Sequence, residues 1–244
     1  MIQQDYDQGL LTLGLNRPKQ RNAINLAMYE ALSLAIDKAP ADCHAILIHG
    51  MGGHFTAGND LADFQNINSM AADSPAIDFL RSLINTDIPV IAAVQGYAVG
   101  IGVTLLQHCD FVFAEPNTKF KMPFVSLGLC PEGGTTVLLE SLVGRRKTSR
   151  WILQGAEFNA TEALQAQLIS EIVDTDSSLQ VARLCAQELA TQPLQALRVS
   201  KHMLRAPGRP TLLQALETER KHFMERLQSA EAQAIFTRFF AAPK

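Results

Sequence analysis

The apolar stretch IPVIAAVQGYAVGIGVTLL, residues 88–106, decides the fold class of this 244-residue chain. A membrane-spanning helix of this length would be almost uninterrupted in its apolar character, whereas this stretch contains Pro89, Gln95 and three glycines. The pattern predicts a buried strand over residues 89–94, a glycine-rich turn, and a helix over residues 100–109.

The same alternation of short apolar strands with helices continues on both sides of this stretch. Strands are predicted at residues 10–15, 45–49, 111–114 and 119–122, and an amphipathic helix over residues 25–39. Short buried strands that alternate with helices predict a mixed α/β fold.

From about residue 161 the pattern becomes helical. Helical periods cover residues 161–164, 179–189 and 194–204, and a last, long amphipathic helix is predicted over residues 213–240. The apolar face of that last helix fits packing on its own domain or a subunit interface, and its periodicity does not choose between the two.

The composition describes a globular chain with a large aliphatic core. Hydrophobic residues make up 47% of the sequence and aromatic residues 7%, and the formal net charge is −3 from 21 basic and 24 acidic side chains. These values exclude a disordered chain and argue against a nucleic-acid or anionic-membrane partner. The N-terminus lacks the basic and apolar segments of a signal peptide, so we expect a cytoplasmic protein.

The spacing of cysteines and histidines gives no sign of a metal site. The four cysteines form no C-x-x-C pair, and the six histidines show no ligand spacing. The sequence also lacks the Tyr-x-x-x-Lys pair of a short-chain dehydrogenase and the Gly-x-Ser-x-Gly elbow of a hydrolase. We therefore expect the glycines of residues 96–102 to serve something other than a nicotinamide cofactor.

Two glycine-containing loops follow predicted strands. The first reads FTAGNDL at residues 55–61, and the second reads QGYAVGIG at residues 95–102. Each is predicted to lie just before a helix, where small residues expose backbone N–H groups at the positive end of the helix dipole. Two such loops that converge would form an oxyanion hole for a carbonyl oxygen, whereas either loop alone also fits a tight, closely packed turn.

Four ordered motifs give the chain a resemblance to a known family. They are NRP with NAI within residues 16–24, then FTAGNDL, QGYAVGIG, and PEGG at residues 131–134. In this order they resemble the crotonase superfamily of enoyl-CoA hydratases and isomerases, over essentially the whole chain. The resemblance implies a core of repeated ββα turns in two nearly perpendicular sheets, residues 1–190. It also implies a C-terminal helical region, residues 191–244, that builds homotrimers, commonly paired into hexamers.

The resemblance also implies a substrate class and a set of site residues. The substrate is an acyl-CoA thioester, no metal or organic cofactor is used, and the backbone N–H groups of Asn59 and Ile101 match the family's oxyanion donors. The substrate-binding positions come from the two loops and the strand end that follows them: Ala57, Gly58, Asn59, Asp60, Leu61, Gly100 and Phe124.

The choice of base decides the reaction. Hydratases of this family use two glutamates, and the two matching positions here hold Thr104 and Phe124, which cannot act as bases. The acid that remains is Glu132, in a Pro-Glu-Gly motif similar to that of the peroxisomal-type Δ3,Δ2-enoyl-CoA isomerases. The resemblance thus implies that Glu132 alone converts 3-enoyl-CoA to 2-trans-enoyl-CoA, with a pKa raised by apolar neighbours. Glu132 also fits a glutamate that merely starts a helix.

Two other functions stay open beside this one. Another crotonase reaction, of hydratase or thioesterase type, would use the same fold and oxyanion hole. A catalytically silent acyl-CoA-binding paralogue would keep both without turnover.

The contacts of the acyl tail and of the CoA phosphates are the least specified part of the site. Apolar residues that could hold the tail are Phe64, Phe79, Leu80, Leu83, Phe124 and Leu129, several of which could equally be core. Basic residues that could hold the phosphates are Arg17, Lys19, Lys201 and Arg205, which fit solvated surface charge as well.

Overall fold

A computed structural model describes residues 1–65 and 74–241 of the chain. A large sheet contains strands β1 Ile2–Asp7, β2 Leu10–Leu15, β3 Ala45–Gly50, β4 Val90–Val94, β6 Phe111–Ala114 and β9 Glu171–Ile172. Their order is β1-β2-β3-β4-β6-β9. The first two strands form an antiparallel hairpin, and the other neighbours pair in parallel.

A second sheet has three short strands. It contains β5 Tyr97–Val99, β7 Lys119–Lys121 and β8 Phe158–Asn159, in the order β5-β7-β8. The strands β5 and β7 each follow a strand of the large sheet, so the chain crosses from one sheet to the other and then enters a helix. This strand–strand–helix turn is the repeated unit of the fold.

Helices cover the sheets and form the C-terminal part of the chain. They are α1 Leu26–Asp37, α2 Pro75–Asn85, α3 Ile101–Leu106, α4 Thr135–Val143, α5 Arg145–Leu153, α6 Ala160–Gln165, α7 Ser178–Ala190, α8 Leu194–Arg205, α9 Arg209–Leu227 and α10 Ala230–Ala241.

The central strands β2, β3, β4 and β6 are buried on both faces, which explains why they are almost continuously apolar in sequence. Because side chains alternate along a strand, Ile46 and Ile48 of β3 join the main core. Ala45 and Leu47 point to the opposite face, where Ala182 of α7 covers them. The mixed α/β prediction is thereby confirmed.

Most predicted elements are present close to their predicted bounds. The helix predicted over residues 25–39 is α1, and the Asn25 side chain caps it by accepting a hydrogen bond from the backbone N–H of Met28 at 3.0 Å. The first glycine loop differs from its prediction, because it leads into a 3-10 turn at Asp63–Gln65 and not into an α-helix.

The single helix predicted over residues 213–240 is wrong. The structure divides it into α9 and α10 at Gln228 and Ser229. The Ser229 hydroxyl accepts a hydrogen bond from the N–H of Ala232 at 3.2 Å, and the Gln233 side chain donates to the carbonyl of Leu227 at 2.7 Å. These side chains satisfy backbone groups that a continuous helix would pair, so the break is capped on both sides.

The apolar face of α9 packs mainly on its own chain. Leu216, Phe223 and Leu227 are buried, as is Phe236 of α10. Of the two interpretations of this face, packing within the domain accounts for these residues. The division of function between residues 1–190 and 191–244 stays a prediction. Within the described part of the chain, no helix is both long and apolar enough to cross a bilayer.

Candidate active site

The two glycine loops lie side by side and are joined by backbone hydrogen bonds. The N–H of Thr56 donates to the carbonyl of Tyr97 at 2.9 Å, and the N–H of Val99 donates to the carbonyl of Thr56 at 3.0 Å. Gly58 has a φ of +93°, and a Cβ there would lie 2.7 Å from the carbonyl oxygen of Val99. Only glycine fits this approach, which is why the first loop needs it. The two loops therefore lie together, as an oxyanion hole formed by both would require.

The backbone N–H of Asn59 points away from the bonds that anchor its neighbours. The carbonyl of Gly58 accepts from the N–H of Ile24 at 2.8 Å, and the N–H of Asp60 donates to the carbonyl of Ile24 at 2.9 Å. In an extended segment successive N–H groups point to opposite sides, so the N–H of Asn59 faces the other way. It has no acceptor among residues 1–65 and 74–241.

The N–H of Ile101 is free for a different reason. Ile101 is the first residue of α3, where a backbone N–H has no acceptor within the helix. The preceding Gly100, at a φ of +55°, donates instead to the carbonyl of Lys121 at 2.8 Å. The described residues supply no acceptor for the N–H of Ile101. In each loop, the N–H group that matches an oxyanion donor of the family is thus unpaired among the described residues.

Glu132 lies beside the first loop and is only 3% exposed. Its carboxylate accepts one hydrogen bond from the described residues, from the Asn59 side-chain amide, with a long Nδ2–Oε1 distance of 3.4 Å. Burial away from water, together with the negative charge of the nearby Glu219, raises the pKa of Glu132 from 4.5 to about 8. The expectation of a raised pKa agrees with this environment.

Glu219 of α9 fixes the backbone that follows Glu132. Its carboxylate accepts hydrogen bonds from the N–H of Gly134 at 2.5 Å, and from the N–H and hydroxyl of Thr136 at 2.8 and 2.6 Å. The acid therefore caps the start of α4 from another helix. Sequence reasoning missed it, although a charged residue on the apolar stripe with Leu216 and Phe223 was a usable signal.

A cleft of about 500 Å³ opens in front of the two loops. Of the substrate-binding positions, Ala57, Gly58, Asn59, Leu61, Gly100 and Phe124 line it. Asp60 does not, because its carboxylate pairs with Arg17 at 2.8 Å and anchors the loop.

Glu132 lines a separate small cavity of about 20 Å³, enough for one water molecule. Asn59, Phe64 and Phe223 border both this cavity and the cleft. Asn59 thus stands between the cleft and the buried carboxylate.

The apolar candidates for the acyl tail divide into two groups. Phe64, Phe124 and Leu129 line the cleft. Phe79, Leu80 and Leu83 do not, and are buried in the main core. The apolar pattern of α2 could not separate a core face from a cleft wall.

The basic candidates for the CoA phosphates are all outside the cleft lining. Lys201 and Arg205 both pair with Asp110 beside a different cavity, and Arg17 pairs with Asp60. Lys19 is exposed on the 3-10 turn before α1. Three basic residues that were not among these candidates line the cleft: Arg21, Lys119 and Lys121.

The described residues hold no group of three or more His, Cys, Asp or Glu side chains that could bind a metal ion. The region offers unpaired backbone donors, one buried carboxylate and an apolar cleft with a basic rim.

Comparisons with known proteins give this arrangement a family. Residues 5–242 match the family model described as enoyl-CoA hydratase/isomerase. A "Probable enoyl-CoA hydratase" of Rhizobium meliloti is 32% identical over 97% of this chain and 92% of its own length. Human "Enoyl-CoA delta isomerase 2" is 31% identical over 84% of this chain and 54% of its own length.

A solved structure agrees with these sequence relatives. The structure of Pseudomonas aeruginosa OdaA superposes with a TM-score of 0.95 at 36% identity, over 99% of both chains. The family match over almost the entire chain and the shared fold lead to one conclusion. This chain belongs to the enoyl-CoA hydratase/isomerase family of the crotonase superfamily.

Proposed function

We propose that this protein isomerises 3-enoyl-CoA to 2-trans-enoyl-CoA with Glu132 as its single acid/base. The observation that carries the proposal is one buried carboxylate of raised pKa, which contacts Asn59, a residue that lines the apolar cleft and whose backbone N–H has no acceptor among the described residues. An isomerase moves one proton between two carbons of the same substrate, so one carboxylate is sufficient.

The proposed reaction starts with the thioester oxygen between the N–H groups of Asn59 and Ile101. The ionised Glu132 takes a proton from C2, and the electron pair of the broken C–H bond delocalises into a dienolate whose charge lies on the thioester oxygen. The two N–H donors stabilise that charge, and loss of one such donor typically costs about 3 kcal/mol. The protonated Glu132 then returns the proton to C4, and the double bond ends between C2 and C3.

The cleft fits the rest of an acyl-CoA. Phe64, Phe124 and Leu129 offer an apolar wall to the acyl chain. Lys119 and Lys121 lie on the same side of β7, because alternate residues of a strand share a face. Together with Arg21 they supply the basic groups that we propose for the CoA phosphates.

Thr104 and Phe124 occupy the two positions that match the glutamates of the hydratases, which argues against hydration by two carboxylates. Thr104 is fully buried, and its hydroxyl donates back to the carbonyl of Gly100 at 3.4 Å. Phe124 lines the cleft with no group that could act as a base. Glu157 does line the cleft, but its carboxylate forms an ion pair with Lys119 at 3.2 Å.

The experiment that tests the function is a direct assay of the purified chain with 3-enoyl-CoA. The expected result is an increase in absorbance from the conjugated 2-enoyl thioester, with label from deuterium at C2 recovered partly at C4. The same protein is then given 2-trans-enoyl-CoA. Formation of 3-hydroxyacyl-CoA would favour hydration, free CoA would favour a thioesterase, and binding without turnover of either substrate would favour a silent paralogue.

We also propose that the C-terminal helices take part in a homotrimer or a hexamer. Val199, Met203 and Leu204 of α8 remain exposed, whereas the apolar side chains of α9 are used within the chain. Sedimentation equilibrium of the purified protein should give three or six chains per particle. A monomer at micromolar concentration would contradict the proposal.

A further inference from the structure

Tyr29 of α1 reaches the candidate site from inside the core. Its ring is buried and packs against Phe79 with a centroid distance of 5.8 Å. Its hydroxyl donates to the side-chain oxygen Oδ1 of Asn59 at 2.5 Å. The opposite end of the same amide, Nδ2, faces the Glu132 carboxylate at 3.4 Å. The three side chains therefore form one chain of hydrogen bonds.

The direction of this chain is fixed by Tyr29. Burial raises the pKa of Tyr29 well above 10, so its hydroxyl remains a donor throughout the working range of pH. A donor at one end of the Asn59 amide requires the oxygen to point toward Tyr29. The NH2 group is then directed toward Glu132, where it favours the ionised carboxylate.

Asn59 therefore contributes to the proposed site in two ways. Its backbone N–H is the proposed oxyanion donor of the first loop, and its side chain touches the proposed base. A free amide could rotate and present its oxygen to Glu132, which would favour the protonated acid. Tyr29 prevents that rotation without itself lining the cleft.

We infer that Tyr29 is a positioning residue, which holds the Asn59 amide so that its NH2 group supports the ionised form of Glu132. The inference rests on the proposed role of Glu132 as the base. It does not require Tyr29 to contact substrate.

Other charged and titratable groups surround these three side chains. Glu219 and Arg220 come from α9, Asp63 from the 3-10 turn after the first loop, and Cys130 from the segment before Glu132. None of them is changed in the variants chosen here, so their contributions to the titration of Glu132 stay constant.

The test compares Tyr29→Phe and Asn59→Ala with the wild type. Tyr29→Phe keeps the buried ring and removes only the hydroxyl, and Asn59→Ala removes the amide but keeps the backbone N–H. In both, the acid limb of the kcat/KM–pH profile should move to higher pH by about half a unit to one unit, so that kcat/KM at pH 7 falls about three- to tenfold. The kcat/KM of the double variant should not be lower than that of Asn59→Ala alone, because both changes break the same series of hydrogen bonds.

Tyr6→Phe is the matched control, since Tyr6 is a half-exposed tyrosine of β1, remote from the cleft lining. Its pH profile should match the wild type. An unshifted acid limb in Tyr29→Phe, or additive effects in the double variant, would overturn the inference.

A second measurement separates this inference from the proposed reaction. A carbon-13 NMR titration of the Glu132 carboxyl group without substrate should show a higher pKa in both Tyr29→Phe and Asn59→Ala. If the wild type does not isomerise 3-enoyl-CoA but these shifts occur, the function is wrong and the positioning role remains. If the wild type isomerises and neither shift occurs, the positioning role alone is rejected.

Discussion

Glu132 and Glu219 are two buried carboxylates in adjoining parts of the molecule, and they differ in the number of hydrogen bonds that they accept. Their exposed fractions are similar, 3% and 5%. Glu219 accepts three hydrogen bonds of 2.5 to 2.8 Å from the start of α4. Among the described residues, Glu132 accepts one at 3.4 Å.

The two carboxylates are about equally buried, so the number of donors, and not the depth of burial, distinguishes Glu219 from the acid that we propose as the base. A buried carboxylate that is saturated with donors is compensated for the loss of water. A buried carboxylate with one weak donor is not compensated, so its proton is held more tightly and its pKa rises. Glu219 also contributes to this effect, because its charge lies close to Glu132.

The largest expected effect is on turnover in Glu132→Gln. The glutamine has nearly the same shape but cannot accept a proton from C2, so kcat for isomerisation should fall by about 10² to 10⁴, the usual contribution of a general base. The assay is the absorbance of the conjugated thioester. Glu140→Gln, an exposed glutamate on α4, is the control and should retain activity. Wild-type turnover in Glu132→Gln would remove Glu132 from the mechanism.

The second effect is on the free energy of unfolding of the same variant. Between pH 4.5 and about 8 the folded protein keeps a proton on Glu132 that the unfolded chain has released. The free energy of unfolding of the wild type therefore falls as pH rises through this window. Glu132→Gln has no carboxyl group to titrate, so its free energy of unfolding should not fall in this window. At pH 8 it should exceed the free energy of unfolding of the wild type by at most about 4 kcal/mol.

Urea denaturation at pH 4.5 and pH 8 measures this difference. The two proteins should be closest in stability at the lower pH and furthest apart at the higher. A gap that is equal at both pH values would mean that Glu132 titrates normally in the folded state.

The third effect concerns the other carboxylate. Glu219→Ala leaves the N–H groups of Gly134 and Thr136 buried without their acceptor, so the protein should lose about 2 to 4 kcal/mol of stability. Urea denaturation at pH 7 gives the value. Glu225→Ala, an exposed glutamate of the same helix that pairs with His222, should change stability by less than about 0.5 kcal/mol. Equal losses of stability in both variants would show that the hydrogen bonds of Glu219 to the start of α4 stabilise the protein no more than an exposed ion pair does.

The sequence predicts the strands and loops that form this site, but not the more distant residues that hold its side chains in place. Apolar runs and glycine positions locate β3, β4 and the two loops, because strand and turn formation depend on local chemistry. The short strand β5 was hidden inside the second loop, since three residues give too little pattern. The break at Ser229 was hidden because a serine cap resembles any other polar residue on an amphipathic helix.

The supporting residues depend on contacts across long sequence separations. Tyr29 meets Asn59 across 30 residues, and Glu219 meets Thr136 across 83. Local periodicity carries no information on such pairings. The basic rim of the cleft was more accessible, because Lys119 and Lys121 flank the buried Phe120 with the period of a strand and so share one face.

The smallest effect, and the one that most directly separates the two carboxylates, is the pH dependence of catalysis. In the proposed reaction Glu132 must be ionised to take the C2 proton, and its pKa in the free protein is raised to about 8. Below that value kcat/KM should increase about tenfold per pH unit, and above it the profile should level off. A base with the ordinary pKa of a glutamate would instead give a flat profile from pH 6 to pH 9.

In Glu219→Gln the neighbouring charge is gone, so the acid limb of the kcat/KM–pH profile should move to lower pH, as measured by initial rates with 3-enoyl-CoA on the folded variant. A limb that stays in place would mean that burial alone raises the pKa of Glu132, and that the two carboxylates act independently.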